Sequence, residues 1–248
     1  MSGPEDSRIL AGVELGGTKC VCILARGRDI VARTTVPTRS PGETLGEVTA
    51  ILGRWWSERR FAALGIASFG PVDLDPASPL WGHITTTPKP GWRQVDVARR
   101  LSAPFGVPAA FDTDVNGAAL AEMRWGAGAG LADFAYVTVG TGVGVGLVVN
   151  GRPTRGFAHG ELGHIRVARL AGDDWPGACP YHGACVEGLA AGGAVAARAG
   201  RPAAELSDDD PVWETVAHAL AQLCHALVCA AAPRRIVIGG GVISGRPH

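Results

Sequence analysis

The sequence predicts an α/β protein made of two similar lobes, and three observations predict it. GVELGGTKCVCIL at 12–24 reads as strand, glycine-threonine turn, strand, and TVGTGVGVGLVV at 138–149 reads the same way. Each hairpin is followed by a helical run and a further short strand, as a duplication requires. The 248 residues are 46% hydrophobic and 19% charged, enough for a sizeable core in one or two domains.

Taken in order, residues 1–8 form a short polar tail, 9–112 the first lobe and 113–248 the second. Ile9 to Glu14 and Lys19 to Ala25 are strands around Gly16-Gly17, and Ile30 to Val36 is a third. Pro41 to Arg60 is predicted helical because Leu45, Val48, Leu52 and Trp55 recur at helical spacing. Ala63 to Ala67 is a short buried strand. Val72 to Trp92, rich in proline, threonine and tryptophan, is a loop, with Trp81 and Trp92 as packing residues. Val95 to Leu101 is a helix, Ala109 to Asp112 a strand, and Asn116 to Trp125 a helix. Tyr136 to Val139 and Val143 to Val149 are the second hairpin, followed by the turn Asn150-Gly151. Leu189 to Ala197 and Pro211 to Ala232 are helices, and Arg235 to Ile238 is a strand ending in Gly239-Gly240-Gly241.

Charge and composition exclude several classes of function. Basic and acidic residues balance at 23 each, so there is no electrostatic case for nucleic acid or an anionic membrane as partner. The start of the chain has no apolar run of signal-peptide or membrane-span length, and the expected compartment is the cytoplasm. Of the six cysteines, Cys20, Cys22, Cys224 and Cys229 are then expected to be small buried apolar residues.

Cys179 and Cys185 call for a different reading. They bracket His182 with two residues on each side, and with His164 they complete a Cys2His2 set of the kind tetrahedral Zn2+ prefers. The order of ligands is not that of a DNA-reading finger, and a full set of four leaves no open position for water, so a structural site is implied. Four unliganded residues, or a Cys179–Cys185 disulfide, are the alternatives. His159 is left over and reads as a solvated loop residue.

Glycine turns leave backbone N–H groups uncovered, as a polyphosphate requires. Gly16, Gly17, Thr18 and Lys19 form one such turn and Gly140, Thr141 and Gly142 another. Either alone is also what an ordinary hairpin looks like; two at matching places are a stronger signal. There is no GxxxxGK[ST], and Val145 stands where a dinucleotide fingerprint needs glycine. Asp114, at a strand-to-helix junction, suits either a general base or a plain N-cap, with Asp112 and Asn116 beside it.

GELGH at 160–164 and CPYHGACVEG at 179–188 resemble the zinc-binding signature of the ROK sugar kinases (repressors, open reading frames and kinases), in particular the bacterial fructokinase branch. DTDVN at 112–116 and SFGPVDLDPASPLWGHITTTPKPGW at 68–92 resemble the same branch. The resemblance implies an actin-like (ribonuclease H-like) duplicated fold, its lobes facing one another across a cleft. It also implies ATP-dependent phosphorylation of a hexose, D-fructose to fructose 6-phosphate, with Asp114 as base.

Under the same resemblance Asn116, Glu161, His164 and Glu187 hold the sugar, and a structural Zn2+ on His164, Cys179, His182 and Cys185 shapes the pocket. The two glycine turns clamp ATP phosphates, and Gly239, Gly240 and Gly241 meet adenosine. Glu14 holds Mg2+ through water, since burying an unpaired glutamate in a strand is otherwise costly. Ser68, Thr87 and Lys89 are candidates to touch ligand at the sugar end. Relatives of this kind continue past the last glycine turn, so the C-terminal part is expected to be truncated. Mannose or glucose as substrate, a homodimer, and a sugar-binding regulatory or inactive fragment stay open; regulators carry a DNA-binding segment before the first turn, where only about a dozen residues stand.

Overall fold

Alternation decides the first sheet. In a computed structural model that describes residues 8–244, β1 (Ile9–Leu15) buries Ala11, Val13 and Leu15, and β2 (Lys19–Arg26) buries Cys20, Cys22 and Leu24. Residues 1–7 of the expected tail lie outside the described residues. β1 and β2 pair antiparallel with Val13 opposite Cys22, and β3 (Asp29–Pro37) continues the meander. Pro41 opens α1 (Pro41–Glu58), whose entry is held by the Ser40 N–H on the Glu43 carboxylate at 3.2 Å. Its inward face is Leu45, Val48, Leu52 and Trp55, the residues the helical spacing selects.

β4 (Leu64–Ser68) returns parallel to β1. The segment after it is less irregular than its composition predicts. β5 (His83–Ile84) pairs with β6 (Val95–Asp96), so Val95 starts a ladder and not a helix; Asp96 then caps α2 (Val97–Ser102) by accepting the Arg99 N–H at 3.0 Å. Trp92 is fully buried, donates from Nε1 to the Arg39 carbonyl at 2.9 Å and meets Phe69 edge-on at 5.3 Å. Trp81 packs on Phe111. β7 (Ala109–Thr113) completes the order β3-β2-β1-β4-β7 and leads into α3 (Asp114–Trp125).

The second unit repeats the plan. β8 (Phe134–Val139), β9 (Val143–Val149) and β10 (Arg152–Pro153) form an antiparallel meander, and β11 (Ile236–Gly239) adds parallel to β8, giving β10-β9-β8-β11. The predicted helix from Leu189 to Ala197 is two helices, α4 (Val186–Ala190) and α5 (Gly192–Ala199). Ala191 between them is extended at ψ 153°, which frees the Gly192 N–H to bond the Gly140 carbonyl at 2.8 Å. α6 (Val212–Ala231) buries Val212, Val216, Leu220, Leu223 and Leu227.

The chain divides after Gly117 rather than after Asp112, and Gly156–His159 is grouped with the first unit while the residues on either side belong to the second. The first turn of α3 stays with the first sheet because Gly117 lies against Ala67 of β4, where an added Cβ would come within 2.9 Å of the Ala67 methyl. Cys20 and Cys22 are core residues, and burial pushes the Cys22 thiol up to about 12. Cys224 and Cys229 of α6 depart from the expectation, being half-buried and exposed respectively. No helix among the described residues is long and apolar enough to cross a membrane.

A charged clasp fastens the segment ahead of the cysteines to α5. The Asp173 side chain is 7% exposed and takes the Arg169 guanidinium at 2.9 Å and that of Arg198 at 3.0 Å, while Arg198 also lies over the Trp175 ring. Burial alone would raise the Asp173 carboxyl. The Arg198 and Arg169 hydrogen bonds and the Trp175 N–H outweigh it and hold the carboxyl at about 2. A depressed carboxyl stabilises the fold above its unfolded value and loses that contribution as pH falls toward the folded one. We expect Asp173→Asn to cost roughly 1–3 kcal/mol at pH 7. Urea unfolding should show the gap to the parent narrowing below about pH 4.

Candidate functional site

In the first unit the register of three parallel strands sets the site. Leu15 pairs with Ser68 and Ser68 with Thr113, so the segments leaving β1, β4 and β7 emerge side by side at the carboxyl ends of those strands. The first is the turn Gly16-Gly17-Thr18 leading to Lys19. The Gly16 N–H bonds the Lys19 carbonyl at 3.0 Å, and an added Cβ at Gly16 would lie 2.8 Å from that oxygen, so the turn requires glycine there. Thr38 clamps it from β3's end: its hydroxyl donates to the Gly16 carbonyl at 2.7 Å and its N–H to the Thr18 carbonyl at 2.9 Å. Lys89 donates to the Gly17 carbonyl at 2.6 Å. Neither clamp is visible in the sequence pattern. Glu14 is exposed, on the strand face opposite the buried Val13 and Leu15, so no burial cost at this carboxylate demands a cation.

The end of β7 and the start of α3 carry Asp112, Asp114 and Asn116. The N-cap of α3 is Thr113, whose hydroxyl accepts the Asn116 N–H at 3.1 Å. Asp114 is therefore the first helical residue and not the cap, and one of its oxygens accepts the Val115 N–H at 2.9 Å. Asn116 is 4% exposed and donates its amide to Asp112 Oδ1 at 2.8 Å. His159 is not a solvated residue: its Nε2 accepts the Val72 N–H at 3.1 Å, and its ring lies where a side chain at Gly70 would sit, 3.3 Å from an added Cβ.

The second unit holds the other predicted residues. Gly140-Thr141-Gly142 joins β8 to β9, closed by the Gly140 N–H on the Gly142 carbonyl at 2.9 Å. Glu187 of α4 reaches this turn: its Oε2 accepts the Val143 N–H at 3.0 Å and lies 2.6 Å from where a Cβ at Gly142 would be. Gly239, Gly240 and Gly241 end β11 beside it, with Gly240 at φ 97° and the Val242 N–H on the Val139 carbonyl at 3.0 Å. Gly239 lines a cavity of about 720 Å³ walled by Trp213, Val216, Leu220 and Cys224 of α6 with Ile238 and Val242. That is the size and apolar character of a small-molecule site.

His164, Cys179, His182 and Cys185 come together, their ligand atoms all within 4.8 Å of one another. Cys179 Sγ stands 3.7 Å from both His164 Nδ1 and His182 Nδ1, and Cys185 Sγ 3.6 Å from His164 Nδ1. Ligands bonded at about 2.0–2.3 Å around a tetrahedral ion are separated by about this much, so the donor set fits a metal ion. Both cysteines are free thiols, which removes the disulfide alternative. Tight backbone brings them there. Gly177 and Gly183 take φ 81° and 57°, and an added Cβ at Gly188 would lie 1.8 Å from the Gly183 carbonyl and 3.0 Å from Cys179 Cβ. Glu161 is exposed and heads the short turn Leu162–His164, its carbonyl accepting the His164 N–H at 3.0 Å. The free ring nitrogen of His164, Nε2, is 4.0 Å from Glu187 Oε1.

Comparison with known proteins then decides the family. The profile described as "ROK family" matches residues 10–247. This chain belongs to the ROK family. It is 44% identical to the fructokinase of Zymomonas mobilis over 96% of this chain and 81% of that protein, and 41% identical to the fructokinase of Pediococcus pentosaceus over 96% and 82%. Among solved structures it resembles the ROK hexokinase from Thermus thermophilus at TM-score 0.74 and 31% identity, covering 94% of this chain and 82% of that one. The duplicated strand order of the two units is thus the actin-like fold of ROK proteins.

The metal cluster gives a direct test. Cys179→Ser should lower the metal content, measured by elemental analysis, from about one ion per four-ligand cluster to near none. Gly188→Ala should do the same without removing a ligand, whereas Gly193→Ala, with open space around its added Cβ, should leave the content unchanged.

Proposed function

We propose that this ROK-family sugar kinase transfers the γ-phosphoryl group of ATP to D-fructose, making fructose 6-phosphate, and that it does so in the cytoplasm where ATP is supplied. The observation that carries the mechanism is the place of Asp114, which stands where β7 ends and α3 begins, at the first helical position, with Thr113 as the cap. The identity to fructokinases supports the choice of sugar.

In the proposed reaction the C6 hydroxyl oxygen of fructose attacks the γ-phosphorus and its proton passes to the Asp114 carboxylate. The new O–P bond forms as the bond from phosphorus to the bridging oxygen breaks, and ADP departs with that electron pair. Gly16, Gly17, Thr18, Lys19, Gly140, Thr141 and Gly142 are assigned to the phosphates, and Gly239, Gly240 and Gly241 with the adjacent cavity to adenosine. Mg2+, bound with ATP, supplies charge neutralisation, and Glu14 is assigned to hold it through water, for which its exposure is suitable.

Sugar hydroxyls are assigned to Asn116, Glu161, His164 and Glu187. The 4.0 Å between His164 Nε2 and Glu187 Oε1 supports this, because one hydroxyl can accept from the ring and donate to the carboxylate across such a gap. We take the ion of the Cys2His2 cluster to be Zn2+, in a structural role that fixes the His164 ring through Nδ1.

Two measurements check this reading. An ADP-release assay with fructose, mannose, glucose and N-acetylmannosamine in parallel should give the highest kcat/KM for fructose; a flat profile, or preference for another hexose, removes the fructose assignment. Asp114→Asn should reduce kcat by about 100-fold or more while fructose binding and thermal unfolding stay close to the parent. Full turnover in that variant would move the base elsewhere.

A further inference from the structure

We propose that Lys89 supplies a positive charge to the transferring phosphoryl group, its ammonium stationed on the first glycine turn. This rests on the kinase reading above and adds to it a residue outside the glycine turns and Asp114.

Lys89 lies between β5 and β6, and its backbone is tied on both sides: its N–H bonds Thr87 Oγ1 at 3.3 Å and its carbonyl accepts the Trp92 N–H at 3.2 Å. Trp92 is itself fixed by burial, by Phe69 and by the Arg39 carbonyl. From that fixed base the side chain reaches back 72 residues in sequence to the Gly17 carbonyl. Freezing a lysine costs at least as much as one exposed hydrogen bond to a carbonyl returns. The contact is therefore a poor stabiliser of the fold and needs another reason.

Charge supplies one. An ammonium has three donors, and among the described residues this one has a neutral carbonyl and no carboxylate as partner. Around it the carbonyls of the turn are engaged: that of Gly16 by the Thr38 hydroxyl, that of Gly17 by Lys89, that of Thr18 by the Thr38 N–H and that of Lys19 by the Gly16 N–H. With its negative dipole ends occupied and an uncompensated cation beside it, the turn favours an anion.

Register indicates which phosphate. Lys89 is on the loop between β5 and β6, and its ammonium lies on the turn that ends β1, while β4 alone separates β1 from β7, which leads to Asp114. Strands so paired are about 5 Å apart, so a polyphosphate held at the turn has roughly 10 Å to span toward Asp114. The phosphorus attacked next to Asp114 is the terminal one, and Lys89 is therefore assigned to the terminal phosphate.

The test uses the full chain with Mg2+ and compares ADP with the β,γ-imido analogue of ATP by calorimetry, alongside thermal unfolding and steady-state kinetics. Lys89→Met should weaken the imido analogue by about ten- to hundredfold, leave ADP affinity and the unfolding temperature near the parent, and lower kcat. Lys89→Arg, which keeps the charge, should recover most of the loss. Equal weakening of both nucleotides together with a lower unfolding temperature would mean that Lys89 only props the turn, and the proposal falls. Unchanged affinity for both would overturn it as well, with the kinase reading intact. A parent protein that binds neither nucleotide would remove both.

Discussion

The Glu187 carboxylate joins two features of the second unit that the sequence keeps far apart. One oxygen holds the Val143 N–H at the end of the Gly140–Gly142 turn, and the other faces His164 Nε2. Glu187 can do this because Cys185 caps α4, its sulfur accepting the Gly188 N–H at 3.4 Å while also standing among the four metal-ligand candidates. The position of the helix start is thus set by the cluster, and the glutamate follows one residue after its first helical position. An ion bound to His164 through Nδ1 would leave the proton on Nε2, turning that nitrogen into a donor toward Glu187. With an ion bound, ring tautomer and turn geometry would be one coupled arrangement, and loosening the Gly188 backbone would disturb both.

The first unit solves the corresponding problem with hydrogen bonds alone. Its sheet brings three segments to one edge, and the local chemistry of each end is settled by small polar residues. Thr38 holds the glycine turn; Thr113 caps α3. The neighbouring carboxyls differ because of it. Asp112 is engaged by the buried Asn116 amide, while Asp114 stands at the first helical position. A helix N-terminus favours negative charge, and Asp114 stands there while Asp112 lies within the strand.

Much of this was legible in the sequence where a periodic signal or a compact motif existed. The face of α1, the two hairpins and the four metal-ligand candidates all follow from spacing and residue type, because burial and ligand chemistry each leave a local pattern. What escaped depends on long-range geometry. The break at Ala191 arises because Gly192 is drawn to the Gly140 carbonyl, and its signal in advance was the glycine pair at 192–193 inside an apparent helix. His159 looked solvated because its partner, the Val72 N–H, is 87 residues away. Asp114 was readable as a cap only until Thr113, an equally good capping residue one position earlier, was seen to take that role. The burial expected of Glu14 fails for a simpler reason. Alternation along β1 already placed it on the face opposite Val13 and Leu15, which are the buried ones.

The duplication is exact enough in pattern to suggest two equivalent phosphate turns, and the surroundings argue against equivalence. The first turn has an ammonium 2.6 Å from one of its carbonyls and a threonine covering two others. The second has a carboxylate oxygen 3.0 Å from the Val143 N–H that follows it and the Gly192 N–H on its first carbonyl. A Cys2His2 set with two thiolates and a divalent ion is neutral overall, so a bound metal would not cancel the Glu187 charge. An anion therefore meets a favourable potential at the first turn and an opposing one at the second, where backbone N–H groups must act against Glu187. The backbone shape recurs in both halves, while the side chains beside the turns differ in sign, an ammonium at the first and a carboxylate at the second.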